Sequence, residues 1–161
     1  MILLGLGSNL SSSFGDRFKN IDLAISFLKR YKIRLIKKSS YFETPSYPNI
    51  AKPKFINVII GIESNLQPLD LAPILIDIEE TLERKRDQKN DPRTCDIDII
   101  DYNGQIIDFK YKNLDFTVPH KKLACRNFVL FPLQEILPEW KHPKTKDHIN
   151  VLIRNLSNED K

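Results

Sequence analysis

Cysteine is scarce in this chain of 161 residues: only Cys95 and Cys125 occur, and neither sits in a CxxC spacing. That excludes a cysteine-built metal site, and both are expected to be free thiols in a reducing compartment. Long apolar runs are missing as well. The opening MILLGLGSNL has no basic segment, and its apolar stretch is too short for a secretory signal or a membrane span. A cytoplasmic protein without a membrane partner is therefore expected. No internal repeat, low-complexity tract or long linker interrupts the chain, apart from a polar tail over 155–161. Nor does GLGSNL end in GK[ST], which excludes the commonest nucleotide-binding loop.

What is present is ordinary for a globular protein. Hydrophobic residues make up 41% and charged residues 29%, and the length suits one domain, 1–161, with a sizeable core. The net charge of +4 suits an anionic partner and plain solubility equally well.

Residues 2–6 are expected to form a strand, with Gly5, Gly7, Ser8 and Asn9 turning the chain after it. Over 17–31, Phe18, Ile21, Ile25 and Leu28 recur at three- and four-residue steps, with Ala24 and Phe27 widening the stripe. This predicts a helix capped by Asp16. Residues 33–42 predict a second strand, and 46–54, with Pro48 and Pro53, an exposed loop. The clearest strand is 55–63: Ile56, Val58, Ile60 and Ile62 face the core, while Phe55, Asn57, Ile59 and Gly61 share the other face. A ring and a carboxamide there either meet a flat polar ligand or simply pack.

Leu71, Leu75, Ile78 and Leu82 predict a second helix opening at Pro68, with Pro73 in its first turn or kinking it. After the polar run ERKRDQKNDPR comes a strand in which Cys95, Ile97 and Ile99 alternate with Asp96, Asp98 and Ile100. DYNG, residues 101–104, then turns the chain tightly into 105–107. The last third holds TVPH, the apolar stretch NFVLFPLQEIL and a short helix within 147–155; His142 and His148 carry no motif and are expected at the surface. Strands alternating with two long helices, plus a hairpin, predict an α+β sandwich, a mainly antiparallel sheet with helices packed on its faces.

The alternation places the Asp96 and Asp98 side chains on one face, with Cα atoms roughly 6.6 Å apart. Carboxylates that close repel, and one takes up a proton unless water or a cation intervenes. Mg²⁺ is usually held by one or two carboxylates plus waters and phosphates, so a DxD step suits a metal–nucleotide site. The alternative is a solvent-facing strand that happens to carry two aspartates. Arg84, Lys85, Arg86 and Lys89 precede the pair, and Arg93 lies three residues ahead of Asp96. Such a run forms surface ion pairs, or it clamps phosphate oxygens while a metal holds others. Phosphoryl transfer uses both signs of charge. Two other classes compete. A basic RNA-binding module lacks the aromatic signature it needs, and paired aspartates repel a nucleic-acid backbone. A Mg²⁺-dependent phosphohydrolase would use the DxD for attack by water.

GLGSNL, SSYFETP, FINVIIGIES, IEETLERKR, DPRTCDIDII, TVPH and RNFVLFPLQEI stand in an order and spacing that resembles the 6-hydroxymethyl-7,8-dihydropterin pyrophosphokinases of folate biosynthesis. The resemblance covers almost the whole chain. It implies a ferredoxin-like α+β fold and transfer of pyrophosphate from ATP to the hydroxymethyl oxygen of the pterin, releasing AMP, with two Mg²⁺ ions. Asp96 and Asp98 would bind the metal. Arg84 and Arg93 would steady the transferring phosphates, Arg93 from a loop that closes over ATP. Arg86, Thr117, His120 and Arg126 would complete the ATP site. The pterin would lie between Phe55 and Phe128, its polar edge read by Asn57 and by backbone at Thr44 and Pro45. Partners would be these two small molecules and no nucleic acid; a monomer, with no fused folate enzyme, is expected. Asn90 and Asp91 stand where many members carry an aromatic and a glycine, and Lys121 where an aromatic often follows VPH.

Overall fold

The structure, a computed structural model, describes residues 1–46, 51–86 and 91–157. Its central strand is the apolar opening, β1 (Ile2–Ser8), which pairs antiparallel with strands on both sides. The order across the sheet is β2 (Arg34–Lys38), β4 (Phe55–Glu63), β1 and β5 (Asp96–Tyr102), while the short β3 (Phe42–Thr44) pairs with the start of β4. Helix α1 (Arg17–Arg30) links β1 to β2, and α2 (Pro68–Thr81) links β4 to β5. This is the ferredoxin-like α+β arrangement. Asp16 caps α1 by accepting from the Lys19 amide at 2.9 Å, as its sequence position predicted.

Two readings of strand extent need correction. The first strand runs through Gly5, Gly7 and Ser8 instead of turning there, because all three pair with β4. The segment 33–42 is not one strand but β2 and β3, divided at Ser39 and Ser40. Ser39 is buried at the break and closes it against β4: its amide donates to the Ile59 carbonyl at 2.9 Å, and its hydroxyl accepts from the Ile59 amide at 3.0 Å.

Both faces of the sheet are covered. Helices α1 and α2 pack on the face carrying Leu4, Leu6, Val58, Ile60 and Ile97. The opposite face carries Leu3, Ile59 and Ile100, buried under α3 (Asn127–Ile136) and α4 (Ile149–Arg154). Each such side chain contributes about 1.5–3 kcal/mol on leaving water. The second face of β4 is thus split, since Ile59 is core whereas Phe55 and Asn57 border a cavity. Helix α3 is the stretch NFVLFPLQEI, which buries Val129, Leu130, Leu133 and Ile136 on one stripe despite Pro132. Pro68 opens α2 and Pro73 lies inside it; the Leu69 carbonyl that loses its partner there belongs to a residue 56% exposed, within reach of water.

The DYNG turn forms, with Asn103 and Gly104 both at positive φ, 52° and 74°, and a bridge from Tyr102 to Gln105. Beyond it the chain does not extend the main sheet. Strands β6 (Ile107–Tyr111) and β7 (Leu114–Val118) make a separate hairpin, closed by stacked Phe109 and Phe116 rings 4.8 Å apart. His142 is not at the surface but buried beside Trp140, its Nδ1 accepting from the amides of Lys144 and Thr145 at 3.1 and 3.3 Å. His148 caps α4 by accepting from the Asn150 amide at 3.1 Å. Cys95 is buried, Cys125 is exposed, and both are free thiols. No helix among the described residues is long and apolar enough to cross a membrane.

Candidate active site

Register builds the floor of the site. Gly7 pairs with Asn57 on one side and Asp96 on the other, and Gly5 with Ile59 and Asp98. Two rows across three strands therefore carry no side chain at their centre. A Cβ on Gly7 would meet the Asn57 Oδ1 at 3.2 Å and the Phe55 ring at 3.5 Å. A Cβ on Gly5 would make only ordinary contact with Ile59 and Ile100 at 3.4 Å, so the tighter requirement for glycine lies at Gly7.

Above that floor lies a cavity of about 490 Å³. Phe55, Asn57, Thr44 and Pro45 form one wall, Phe128 and Arg126 another, and Arg93, Asp96 and Asp98 the end. A second cavity of about 180 Å³ lies toward α2 and the β6–β7 hairpin, lined by Glu79, Arg84, Arg86, Thr117 and His120 together with Asp96 and Asp98. The two aspartates line both cavities. They stand where an aromatic-walled cleft meets one lined by both signs of charge, with Arg84, Arg86 and Lys121 beside Glu79 and Asp115.

The charges at the junction are unequally matched. Arg84 donates to Asp96 at 3.0 Å, and Arg93 donates to its other oxygen at 3.0 Å. Burial would push the Asp96 carboxyl up, but Arg84 and Arg93 outweigh it and hold the group below its ordinary value. Asp98 is less well served: Arg126 lies 3.6 Å away and His120 3.9 Å. Burial, aided by the neighbouring Asp96 charge, pushes it up to about 7. His120 is lowered to about 4, by burial and then by the Arg126 charge, so its ring is neutral at pH 7. Its Nδ1 accepts from the Lys122 amide at 3.2 Å, which leaves the proton on Nε2, the nitrogen facing Asp98.

Beneath the pair sits Glu79, a buried acid on α2 that pattern reading passed over. It accepts from Arg84 at 2.7 Å, from the Ile97 amide at 2.7 Å, and from Arg86. Burial raises its carboxyl to about 7, opposed by Arg84 and Arg86. One acid thus orients two arginines on the wall of the smaller cavity. The signal in the sequence was its place on the apolar stripe of α2, four residues after Leu75.

The donor set fits Mg²⁺. Two carboxylates project from one strand face, and the cost of ionising Asp98, set by burial and the neighbouring Asp96 charge, is what a dication would relieve. Among the described residues no group of three or more His, Cys, Asp or Glu is arranged to hold a metal. The protein would supply the two aspartates and leave other positions to water and phosphate.

A family model described as 7,8-dihydro-6-hydroxymethylpterin-pyrophosphokinase matches residues 3–138. The chain belongs to this pyrophosphokinase family. The 2-amino-4-hydroxy-6-hydroxymethyldihydropteridine pyrophosphokinase of Methylorubrum extorquens is 33% identical over 138 residues, 84% of this chain and 82% of that one. The folic acid synthesis protein FOL1 of Dictyostelium discoideum is 35% identical over 160 residues, yet this chain spans only 23% of its length. For the corresponding protein of Schizosaccharomyces pombe that share is 20%, at 32% identity over 95% of this chain. The crystal structure of Plasmodium falciparum HPPK-DHPS wild type with pteroate superposes with a TM-score of 0.75 at 15% identity, covering 95% of this chain and 43% of that one. This last likeness concerns the fold alone.

Against the pyrophosphokinase motifs, the structure gathers every expected residue around the two cavities. Phe55 and Phe128 border the larger one, as do Thr44, Pro45 and Asn57. The Asn57 amide donates to the Thr44 hydroxyl at 2.8 Å and the Phe42 carbonyl at 3.2 Å, so β3 is tied to the floor. Arg126 lies 5.2 Å above the Phe128 ring. Thr117 reaches the smaller cavity from β7, on a hairpin that sequence reading did not separate from its surroundings. Asp91 lines the larger cavity and Lys121 the smaller, while Lys89 and Asn90 lie outside the described residues.

Proposed function

We propose that this protein transfers pyrophosphate from ATP to the hydroxymethyl group of 6-hydroxymethyl-7,8-dihydropterin, giving AMP and the pterin diphosphate. It acts as one domain, a cytoplasmic monomer with two Mg²⁺ ions. The observation that carries this reading is the meeting, at Asp96 and Asp98, of an aromatic-walled cavity and a smaller one, with Arg84, Arg86, Arg93 and Arg126 all lining one or the other.

The flat pterin enters the larger cavity between Phe55 and Phe128, where ring stacking favours a heterocycle and Asn57 reads its polar edge. ATP enters the smaller one. Its phosphates reach the junction at Asp96 and Asp98, where Arg84 and Arg86 from the smaller cavity and Arg93 and Arg126 from the larger neutralise them, Thr117 contacts the ribose, and neutral His120 donates a hydrogen bond from Nε2 to a phosphate oxygen. The pterin hydroxyl oxygen then bonds to the β-phosphorus while the bond from that phosphorus to the AMP oxygen breaks, and the hydroxyl proton leaves to solvent. Asp96 and Asp98 would hold Mg²⁺, which when bound would supply positive charge to the polyphosphate. Most of the catalysis is therefore positioning and charge neutralisation by fixed groups.

Incubation with ATP, Mg²⁺ and the hydroxymethyl pterin tests this directly. AMP and a pterin diphosphate are expected. ADP would indicate an ordinary kinase, and free phosphate formed without pterin would indicate a hydrolase; either result overturns the proposal.

A further inference from the structure

Asn9 follows the last paired residue of β1 and is 2% exposed. Its backbone amide donates to the Arg93 carbonyl at 2.9 Å, and its side-chain Oδ1 accepts from the Arg93 amide at 2.6 Å. The other end of the same carboxamide, Nδ2, donates to the Pro53 carbonyl at 3.0 Å. Arg93 is thus held by two bonds at its backbone, while its guanidinium reaches Asp96 at 3.0 Å. Pro53 stands two residues before Phe55, whose ring walls the larger cavity. One buried planar group therefore joins the segment entering the DxD strand to the segment entering the aromatic wall. Its donor serves one segment and its acceptor the other. A buried carboxamide with both ends engaged transmits displacement, because moving either segment alone would strand a polar atom away from water.

Resting on the pyrophosphokinase reading, we propose that Asn9 is a positioning residue that couples the two substrate cavities. When Arg93 turns from Asp96 toward a phosphate, its backbone shift passes through the Asn9 carboxamide to Pro53 and Phe55. Nucleotide binding thereby sets the aromatic wall for the pterin, and by linkage pterin binding favours the nucleotide by the same factor. Asn9 touches neither substrate.

The test is calorimetric titration of the hydroxymethyl pterin into the full chain, with and without Mg²⁺ and the methylene analogue of ATP that cannot be cleaved. The ratio of the two dissociation constants is the coupling factor. Asn9→Ala, which removes both side-chain bonds, is expected to lower that factor about fivefold to tenfold, the scale of one or two hydrogen bonds. Pterin affinity without nucleotide should change by less than about threefold, the loss being one of communication. Asn9→Asp keeps the acceptor for Arg93 but loses the donor to Pro53, and should lower the factor similarly. A variant less stable than wild type but with the same factor would overturn the proposal, because a purely structural role moves stability alone. Should the variants fail to fold, hydrogen exchange on the wild type decides: the analogue alone should slow exchange in residues 51–57, and unchanged exchange overturns the coupling. The outcomes separate cleanly. A wild type that makes no AMP sinks the pyrophosphokinase reading, whereas an active wild type with coupling undiminished in the variants sinks only the role of Asn9.

Discussion

Replacing Glu79 is the sharpest test of how the smaller cavity is built. The side chain is 4% exposed and serves Arg84, itself 9% exposed, as well as Arg86 and the Ile97 amide. Glu79→Ala leaves a buried guanidinium with Asp96 as its remaining carboxylate and orphans a buried backbone donor. Removing one partner of a buried pair costs about 3–5 kcal/mol, and the surviving Arg84–Asp96 contact points to the lower end, about 3 kcal/mol. For a chain of this size that corresponds to a fall of about 6–12 °C in Tm. Glu79→Gln keeps the volume and one acceptor, and should cost about 1–2 kcal/mol. Urea unfolding followed by circular dichroism measures both. The pH dependence adds a second check. Burial first, and then the competing charges of Arg84, Asp96 and Arg86, leave the folded carboxyl at about 7, above its unfolded value. The folded state therefore binds the extra proton between those values, and this contribution to stability is present at low pH and lost as pH rises through about 7. The penalty of Glu79→Gln relative to wild type should be largest near the acid end of that window and shrink toward pH 8. An alanine variant that loses less than about 1 kcal/mol, or a glutamine penalty that grows with pH, would refute the account.

Asp98→Asn should lower turnover at least about 100-fold without lowering Tm, because a carboxyl already strained by burial and by Asp96 loses its charge; a marked fall in Tm with turnover kept would make Asp98 structural. Asp96→Ala should reduce both quantities, since Arg84 and Arg93 each lose a partner 3.0 Å away. Phe128→Ala is expected to weaken pterin binding about tenfold or more while leaving ATP affinity unchanged, and calorimetry showing equal losses for both would count against stacking. Asp101→Ala removes acceptors at 2.9 and 3.0 Å from Gly104 and Trp140. Because Asp101 lies outside both cavities, the expected outcome is a loss of about 2 kcal/mol in stability with kcat intact, and steady-state kinetics beside chemical unfolding would reveal any exception.

Local pattern was enough to locate much of this protein. Period-two alternation identified β4 and the DxD strand, three- and four-residue steps identified α1 and α2, and the Asn103–Gly104 pair identified its turn, since each depends on residues within one element. The motif order pointed to the family, and the expected ligand residues do converge on two adjoining cavities. What local pattern cannot encode is cross-strand register. Gly5 and Gly7 read as turn formers because glycine favours turns; only pairing with Asn57, Asp96 and Asp98 reveals them as the bare floor of a site. Glu79 looked like one charge among many until α2 packed it beneath Arg84 and Arg86. Asn9 likewise acquires its role from segments 44 and 84 residues away in the chain. The residue types and their periodicity determined the elements and the chemistry available. Tertiary packing decided which charges lose water together, because burial and proximity across distant segments, not neighbours in sequence, set the pairing and protonation of these groups.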